Sequence, residues 1–236
     1  MATIPRIYTQ ADLTPGAAVA ATPAQVHYLG TVLRARPSDP VHLFNGRDGE
    51  WEAQIATLYR DRLTIAVQHQ LRPQQPEPDL WLVFALLKRD ATDLVVQKAT
   101  ELGVSALHPV LTDRTNAAHT NQHRLAAIAI EAAEQSERLT VPTILPPRSL
   151  SDLFASWPAS RPLYAAIERA PTAAPLHPSA EPAALLVGPE GGFSPDELEA
   201  IARHPFVTRV SLGPRILRAE TACVAGLALL QAPLCG

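Results

Sequence analysis

Two different patterns of hydrophobic and polar residues divide this chain. In residues 39–71, apolar and polar residues alternate in three short runs separated by turn-forming residues, which is typical of antiparallel strands. A short helix is predicted before them, with Thr22 as N-cap, Pro23 at the first helical position and Gln25 three residues after the cap. Residues 1–72 are therefore predicted to form a small β-rich module.

After residue 80 the pattern changes to alternating strands and helices. The continuous apolar run at 80–88 is typical of a buried parallel strand, and Asp90 is expected to cap a helix that ends at Gly103. Further strands are predicted at 105–111, 143–145, 161–168, 183–188 and 206–212, with helices at about 122–139 and after Ser149 and a proline-rich surface loop at 170–182. This alternation predicts an α/β domain with a parallel sheet.

A proline-rich segment separates the two patterns. Three prolines fall within the six residues 73–78, which indicates a stiff, exposed connector. We therefore predict a β domain at 1–72, a linker at 73–79 and an α/β domain at 80–236.

Composition excludes several classes of protein. No apolar run reaches eighteen residues and the N-terminus lacks the layout of a signal peptide, so we expect a cytoplasmic protein with no membrane partner. A net charge of −3 argues mildly against wholesale electrostatic binding of nucleic acid. Cys223 and Cys235 are too few for a disulfide framework, and His119 and His123 lack a third ligand, so no metal site is predicted.

The first candidate site is the glycine-rich loop GPEGG at 188–192. Its glycines let a ligand lie against main-chain N–H groups, and Ser194, Pro195 and Glu197 then form a complete helix start. Glu190 places a carboxylate in this loop and no Lys lies nearby, which disfavours nucleoside triphosphates and dinucleotides. A ligand with a nucleoside, an amino group or a positive centre fits better; the alternative is a tight strand-to-helix turn that binds nothing.

A second glycine-bearing loop, LGPRIL at 212–217, follows the next predicted strand. Gly213 permits the turn, Arg215 and Arg218 can face a polyanion, and Ile216 and Leu217 supply apolar walls. Because both loops follow strands of one predicted parallel sheet, they are expected at the edge where such sheets hold ligands.

These motifs resemble those of a known family. The stretches LLVGPEGGFSPDELEAI and VSLGPRILRAETA, together with QKATELGVSALHPV, DRT and EAAEQSERLTVP, match in order the ribosomal RNA small subunit methyltransferase E (RsmE) family of the SPOUT superfamily. PRIY, HYLGTVLRARPSD and LFNGRDGEW extend the resemblance to the N-terminal module, so that it covers essentially the whole chain.

The resemblance implies a fold and an activity. It implies a small N-terminal PUA-like β-barrel and a C-terminal SPOUT-type α/β domain with a deep trefoil knot that binds S-adenosyl-L-methionine. It further implies a homodimer that methylates N3 of one uridine of 16S rRNA, at the position conventionally numbered 1498.

The resemblance also assigns site residues. The predicted cofactor-binding residues are Ile167, Glu168, Gly188, Pro189, Glu190, Gly191, Gly192, Leu212, Gly213, Ile216 and Leu217. Arg218 is the first catalytic candidate, because its guanidinium could stabilise negative charge on the uracil carbonyl oxygens. Glu220 is the second, either as a general base or as a carboxylate that only stabilises the helix start.

Arginines supply the candidate RNA contacts, namely Arg6, Arg34, Arg36, Arg47, Arg114, Arg138 and Arg215. The segment 115–130 is shorter and poorer in lysine than is usual in the family, so we predict that the partner is 16S rRNA in assembled 30S subunits. Two alternatives stay open: a knotted methyltransferase acting on a different RNA, and a non-catalytic RNA-binding protein of the same fold.

Overall fold

The computed structural model describes residues 4–115, 120–167, 173–177 and 182–231, and the chain divides into two compact units. The first unit comprises Met1–Pro76 and Ala133–Val141, and the second comprises Glu77–Ala132 and Pro142–Gly236. The first change of unit falls inside the segment predicted to be the linker. The membership of Ala133–Val141 in the first unit was not predicted.

The first unit is a five-stranded sheet that curls into a half-barrel. Its elements are β1 (Arg6–Tyr8), β2 (Ala18–Ala20), α1 (Pro23–His27), β3 (Pro40–Phe44), β4 (Glu50–Tyr59) and β5 (Arg62–Arg72), with a π-helical turn at Tyr28–Val32. The strand order is β1-β3-β4-β5-β2, and only the β1–β3 pair is parallel. The predicted capping box is confirmed, since Gln25 N–H donates to Thr22 Oγ1 and Thr22 N–H donates to Gln25 Oε1.

The predicted alternation buries one face of these strands. Val41, Leu43, Ile55, Ile65 and Val67 lie in one apolar cluster and are almost fully buried. Strands β1 and β2 were missed, because runs of three residues are too short for a periodic pattern to show.

A buried ionic cluster lies at one side of this sheet. Glu50, only 4% exposed, accepts from Arg6 Nε at 2.5 Å and from Arg72 Nε at 2.6 Å. Arg6 also donates to the backbone carbonyls of Ala133, Glu134 and Arg138, at 2.8–3.0 Å. Arg6 therefore satisfies carbonyl groups that a helix end leaves without partners, which accounts for the membership of Ala133–Val141 in this unit.

Glu50→Gln is expected to lower the free energy of unfolding by about 3 to 5 kcal/mol, because it leaves the buried guanidinium of Arg6 without its counter-charge. Burial alone raises the pKa of a carboxyl, but hydrogen bonds and charge from Arg6 and Arg72 outweigh burial, and the net pKa of Glu50 is lowered. Because its pKa is lowered, ionised Glu50 stabilises the folded state at pH values above the ordinary pKa of a glutamate. This stability is lost as the pH falls through the lowered pKa.

Urea unfolding between neutral and acid pH measures both effects. The matched control is Glu52→Gln on the same strand, whose partner His69 lies 3.8 Å away at a more exposed position, and which should change stability by less than about 0.5 kcal/mol. Equal stability of the two variants at neutral pH would show that the cluster contributes nothing.

The second unit is an eight-stranded, wholly parallel sheet with helices. Its strands are β6 (Leu80–Ala85), β7 (Ala106–Leu111), β8 (Thr143–Ile144), β9 (Arg148–Ser149), β10 (Leu163–Ala166), β11 (Ala174–Pro175), β12 (Ala183–Val187) and β13 (Val207–Ser211). Its helices are α2 (Arg89–Glu101), α3 (Gln122–Gln135, whose last residues belong to the first unit), α4 (Leu150–Ala155), α5 (Pro195–Arg203) and α6 (Ala219–Gln231). The α/β parallel sheet predicted from the sequence is thus confirmed.

Two predicted helix boundaries were wrong. Helix α2 has Lys88 rather than Asp90 as its N-cap, because the Thr92 hydroxyl bonds both backbone groups of Leu87 and thereby fixes an earlier start. Helix α3 ends at Gln135 instead of about residue 139, and Glu137 follows with a φ of +60°, a left-handed conformation that ends a helix. Within the predicted surface loop at 170–182, Ala174–Pro175 forms a short strand beside β13.

The strand order is β11-β13-β10-β12-β6-β7-β8, with β9 also paired to β7. Consecutive strands β12 and β13 therefore lie on opposite sides of β10. The carboxyl ends of β12, β10 and β13 are adjacent at one edge of the sheet. The trefoil knot stays a prediction.

Helix α6 packs closely on strand β12. A Cβ added at Gly226 would lie 2.6 Å from Cδ2 of Leu185, so any larger residue here would require the buried Leu185 side chain to shift. Burial, and to a lesser degree the charge of Glu220, raises the pKa of the Cys223 thiol far above its ordinary value. Cys223 is therefore a buried structural residue, whereas Cys235 lies outside the described residues.

Candidate functional site

Three neighbouring strand ends bring the predicted cofactor residues together. Ala166 of β10 is paired in register with Val187 of β12 and with Val210 of β13. Ile167 and Gly188, which follow the first two of these positions, and Ser211, the last residue of β13, therefore lie at the same level of the sheet. Glu168, also predicted to bind the cofactor, lies outside the described residues.

The loop at 188–192 has a geometry fixed by its own sequence. Gly192 N–H donates to Pro189 C=O at 2.8 Å to close the turn, and Gly192 has a φ of +69°, which favours glycine. A Cβ at Gly188 would lie 2.9 Å from the ring of Phe193, which is buried. Pro189 is buried, whereas Glu190 and Gly191 are exposed and face solvent.

The helix start after this loop forms as predicted. Ser194 is the N-cap of α5, its Oγ accepts from Glu197 N–H at 3.3 Å, and Glu197 Oε2 accepts from Ser194 N–H at 2.8 Å. Both halves of the capping box are present, so the end of the loop is anchored to the helix.

The DRT segment at 113–115 holds the same loop from the other side. Arg114 Nη1 donates to the Gly191 carbonyl at 2.6 Å, and Asp113 accepts from Ser194 Oγ at 2.5 Å. Asp113 N–H also donates to Glu197 Oε1 at 2.9 Å. Sequence reasoning assigned Arg114 to RNA and missed this role; no signal in the spacing could have found a contact between segments so distant in sequence.

The second loop leaves β13 in an open conformation. Gly213 has a φ of +116°, and its N–H donates to Ser211 Oγ at 3.3 Å. Leu212 and Leu217 are half-buried, whereas Ile216 is 57% exposed. Of the two predicted apolar walls, Ile216 is thus largely exposed to solvent, whereas Leu217 is partly covered.

The two catalytic candidates stand where this loop meets α6. Arg218 is exposed, its carbonyl accepts from Ala222 N–H at 2.8 Å, and its guanidinium has no partner among the described residues. Glu220 is half-buried in the first turn of the helix, where its negative charge favours the helix dipole. No described residue therefore competes with an anion or a carbonyl oxygen for the guanidinium of Arg218.

The predicted RNA-contact arginines fall into two groups. Arg34, Arg36 and Arg215 are exposed, and Arg47 is exposed but paired with Asp12 at 2.9 Å. Arg6 is buried and bound to Glu50 and to three backbone carbonyls, as described above. The side chain of Arg138 is also buried and donates to Thr140 Oγ1 at 2.9 Å.

Two negative findings complete the description. Among residues 4–115, 120–167, 173–177 and 182–231, no group of three or more metal-ligating side chains occurs. No helix in the described part of the chain is long and apolar enough to cross a membrane.

Two family models match the two parts of the chain. Residues 74–231 match the RNA methyltransferase domain, and residues 21–68 match the RNA methyltransferase PUA domain. The PUA-like N-terminal domain expected from the sequence is thereby confirmed.

Curated relatives and solved structures agree with these models. Ribosomal RNA small subunit methyltransferase E of Rickettsia conorii is 36% identical, over 96% of this chain and 94% of the relative. Ribosomal RNA small subunit methyltransferase E of Synechocystis is 33% identical, over 92% of this chain and 74% of the relative. A crystal structure of the enzyme of the same name from Neisseria gonorrhoeae, bound to S-adenosyl methionine, superposes with a TM-score of 0.88 at 32% identity and covers 98% of both chains. A structure from Legionella pneumophila that contains the cofactor SAM gives 0.87 at 29% identity, again over 98% of both chains. This chain belongs to the ribosomal RNA small subunit methyltransferase E family.

Proposed function

We propose that this protein transfers a methyl group from S-adenosylmethionine to N3 of one uridine in 16S rRNA, at the position conventionally numbered 1498. The observation that carries the proposal is the convergence, in one unit, of three parallel strand ends, two glycine loops and Arg218, whose guanidinium has no partner in the described part of the chain. Relatives that bear this name cover nearly the whole chain, and the one from Neisseria gonorrhoeae has been crystallised with S-adenosyl methionine.

The two loops suit S-adenosylmethionine better than a phosphate-bearing ligand. A Cβ built on Gly192 or on Gly213 would meet no atom within 4 Å, so open space borders both loops. Glu190 is exposed in the first loop, and a carboxylate there favours a cationic ligand such as a sulfonium. When bound, S-adenosylmethionine supplies an electrophilic methyl group.

The residues that would hold the cofactor follow three strands along the chain. They are Ile167 and Glu168, the loop Gly188, Pro189, Glu190, Gly191 and Gly192, and the loop residues Leu212, Gly213, Ile216 and Leu217. Main-chain groups of the two loops would provide hydrogen bonds, and the apolar side chains would exclude water. Arg114 would act as a positioning residue, because its bond to the Gly191 carbonyl fixes the first loop.

Arg218 is proposed as the catalytic residue. N3 of uridine is protonated at neutral pH, so loss of that proton leaves negative charge shared with the neighbouring carbonyl oxygens. An exposed guanidinium without a protein partner can donate hydrogen bonds to those oxygens and stabilise that charge.

Glu220 is proposed to take part near the same point. It lies two residues after Arg218 and is half-buried. It either accepts the N3 proton or stabilises the start of α6, and substitution separates these two roles, as described in the Discussion.

RNA binding is proposed to use the exposed arginines. Arg34, Arg36, Arg47 and Arg215 can reach phosphates, whereas the guanidinium groups of Arg6 and Arg138 are buried in the first unit. The net charge of −3 and the short, lysine-poor 115–130 segment favour assembled 30S subunits over naked 16S rRNA as the substrate.

The protein is further proposed to act in the cytoplasm as a homodimer. The family resemblance implies the dimer, and Ile216 and Leu229, which are 57% and 40% exposed, are candidate contacts between subunits.

A strain that lacks the gene tests the substrate. Its 16S rRNA should lack one N3-methyluridine that returns on complementation with the wild-type gene but not with a gene carrying Arg218→Gln, and mapping by primer extension and nucleoside mass spectrometry detects it. Retention of every modified uridine in the deletion strain would remove the proposal.

A further inference from the structure

A cavity outside the two glycine loops opens at the carboxyl end of β6. It has a volume of about 330 Å³, within the range of small-ligand pockets, and the described residues around it all belong to the second unit. They are Leu86, Leu87, Arg89, Thr92, Thr120, Asn121 and Arg124. None of them is among the residues proposed above for the cofactor or for catalysis.

The cavity is rich in donors for an anion. Arg89 is exposed at the first position of α2, and its guanidinium has no partner among the described residues. Lys88, the N-cap of that helix, makes no side-chain cap, so the first N–H groups of α2 are not capped by its own side chain. Arg124 lies in the first turn of α3, and its N–H is capped by Asn121 Oδ1 at 3.1 Å. Two positive helix ends and two guanidinium groups thus border one space.

A buried hydroxyl group indicates that this space takes a hydrogen-bonding ligand. Thr120 Oγ1 is buried and has no hydrogen-bond partner in the described part of the chain. Thr92, the other hydroxyl at the cavity, is already bonded to both backbone groups of Leu87. A buried polar atom without a partner is unfavourable, and an incoming acceptor would satisfy Thr120.

The charges at the cavity restrict the chemistry of that ligand. Asp93 pairs with Arg124 through Oδ2 and offsets its charge, and its buried Oδ1 has no partner in the described part of the chain. Among the lining residues, Arg89 is then the cation without a partner in that part of the chain. A single carboxylate that is already paired cannot hold a metal ion. An apolar ligand would leave Thr120 Oγ1 unsatisfied and would make no use of the exposed guanidinium of Arg89. A phosphate group satisfies both, because guanidinium and hydroxyl groups are its usual donors.

The position of the cavity relates it to the proposed active site. Strands β6 and β12 are parallel neighbours with Phe84 level with Val187, so Leu86 and Gly188 leave the same edge of the sheet. Neighbouring strands are about 4.8 Å apart, so the strand end that borders the cavity is adjacent to the strand end that carries the loop proposed to hold the methyl donor. We propose that this cavity binds a phosphate of the RNA strand beside the nucleotide that is methylated. This inference rests on the proposed function.

Equilibrium binding to 30S subunits, measured over a series of salt concentrations, tests the inference. Arg89→Gln should weaken binding about ten-fold and reduce the slope of log affinity against log salt by about 0.7 to 0.9, the contribution of one phosphate contact. Thr120→Val should weaken binding a few-fold and leave the slope unchanged, because the lost hydroxyl is neutral. Arg203→Gln is the matched control, since Arg203 is exposed on α5 and paired only with Glu199; it should change neither quantity.

Three further outcomes are decisive. If Arg89→Gln behaves as Arg203→Gln does, the inference is wrong. If inorganic phosphate raises the thermal midpoint of the wild type but not of Arg89→Gln, while binding to 30S subunits is equal, the cavity takes a free anion and the RNA assignment fails. If the wild type binds 30S subunits with the expected salt dependence but transfers no methyl group, the proposed function fails while the phosphate site stands.

Discussion

Replacing Arg218 with Gln should lower kcat for methyl transfer by about two to three orders of magnitude and leave the affinity for S-adenosylmethionine within about two-fold. The expected loss follows from the exposed guanidinium at the start of α6, which no described residue pairs with and which can stabilise charge on uracil only as that charge develops. Steady-state methyl transfer to unmethylated 30S subunits gives kcat and KM, and calorimetry gives the cofactor affinity.

Arg215→Gln is the matched control for this prediction. Arg215 is exposed in the same loop and is proposed only to contact RNA, so its substitution should raise KM and spare kcat. If Arg218→Gln also raises KM alone, Arg218 merely holds RNA and the catalytic assignment fails.

The same assay distinguishes the two roles of Glu220. A general base would give Glu220→Gln a lower kcat that rises with pH as the N3 proton becomes easier to lose, with unchanged thermal stability. A carboxylate that only stabilises the helix start would instead lower stability by about 0.3 to 1 kcal/mol and spare kcat.

Gly192→Ala should weaken the binding of S-adenosylmethionine by at least about ten-fold. Its Cβ would project into the open space beside the loop, and an L-residue at a φ of +69° costs roughly 1 to 2 kcal/mol of backbone strain. The expected loss combines the occupied space with a shifted loop. Isothermal titration with S-adenosylmethionine measures it.

Gly16→Ala in the first unit is the control that separates the effect of backbone strain from the loss of cofactor binding. Gly16 has a φ of +80° and equally open surroundings, so the same substitution carries a similar strain at a position with no proposed ligand. Both variants should lose similar thermal stability, and only Gly192→Ala should lose the cofactor. Unchanged affinity in Gly192→Ala would move the cofactor site away from this loop.

Local features of the fold could be predicted from sequence because neighbouring residues determine them. The capping boxes at Thr22 and Ser194 formed as expected, since each needs only a cap residue and a partner three positions later. The predicted start of α2 was wrong, and the cause is again local. Thr92 bonds the backbone of Leu87, and these bonds outweigh the preference of Asp90 for the N-cap position.

Features that depend on distant residues could not be predicted. The bonds from Arg6 to the carbonyls of Ala133, Glu134 and Arg138 bring together segments more than a hundred residues apart, and the side chain alone resembles any basic surface residue. The hydrogen bonds by which Arg114 and Asp113 hold Gly191 and Ser194 also arise from tertiary packing, as does the cavity between α2 and α3. The sequence patterns identified the glycine loops, but only the strand order showed that Ile167, Gly188 and Ser211 end side by side.

The most direct test incubates the purified protein with unmethylated 30S subunits and S-adenosylmethionine carrying an isotopically labelled methyl group. Nucleoside mass spectrometry of the 16S rRNA should find one labelled N3-methyluridine per subunit, and protein-free 16S rRNA should be labelled far less efficiently. Label on another nucleoside, or no label in the RNA, would contradict the proposed function; equally efficient labelling of the protein-free RNA would contradict the assignment of the 30S subunit as substrate.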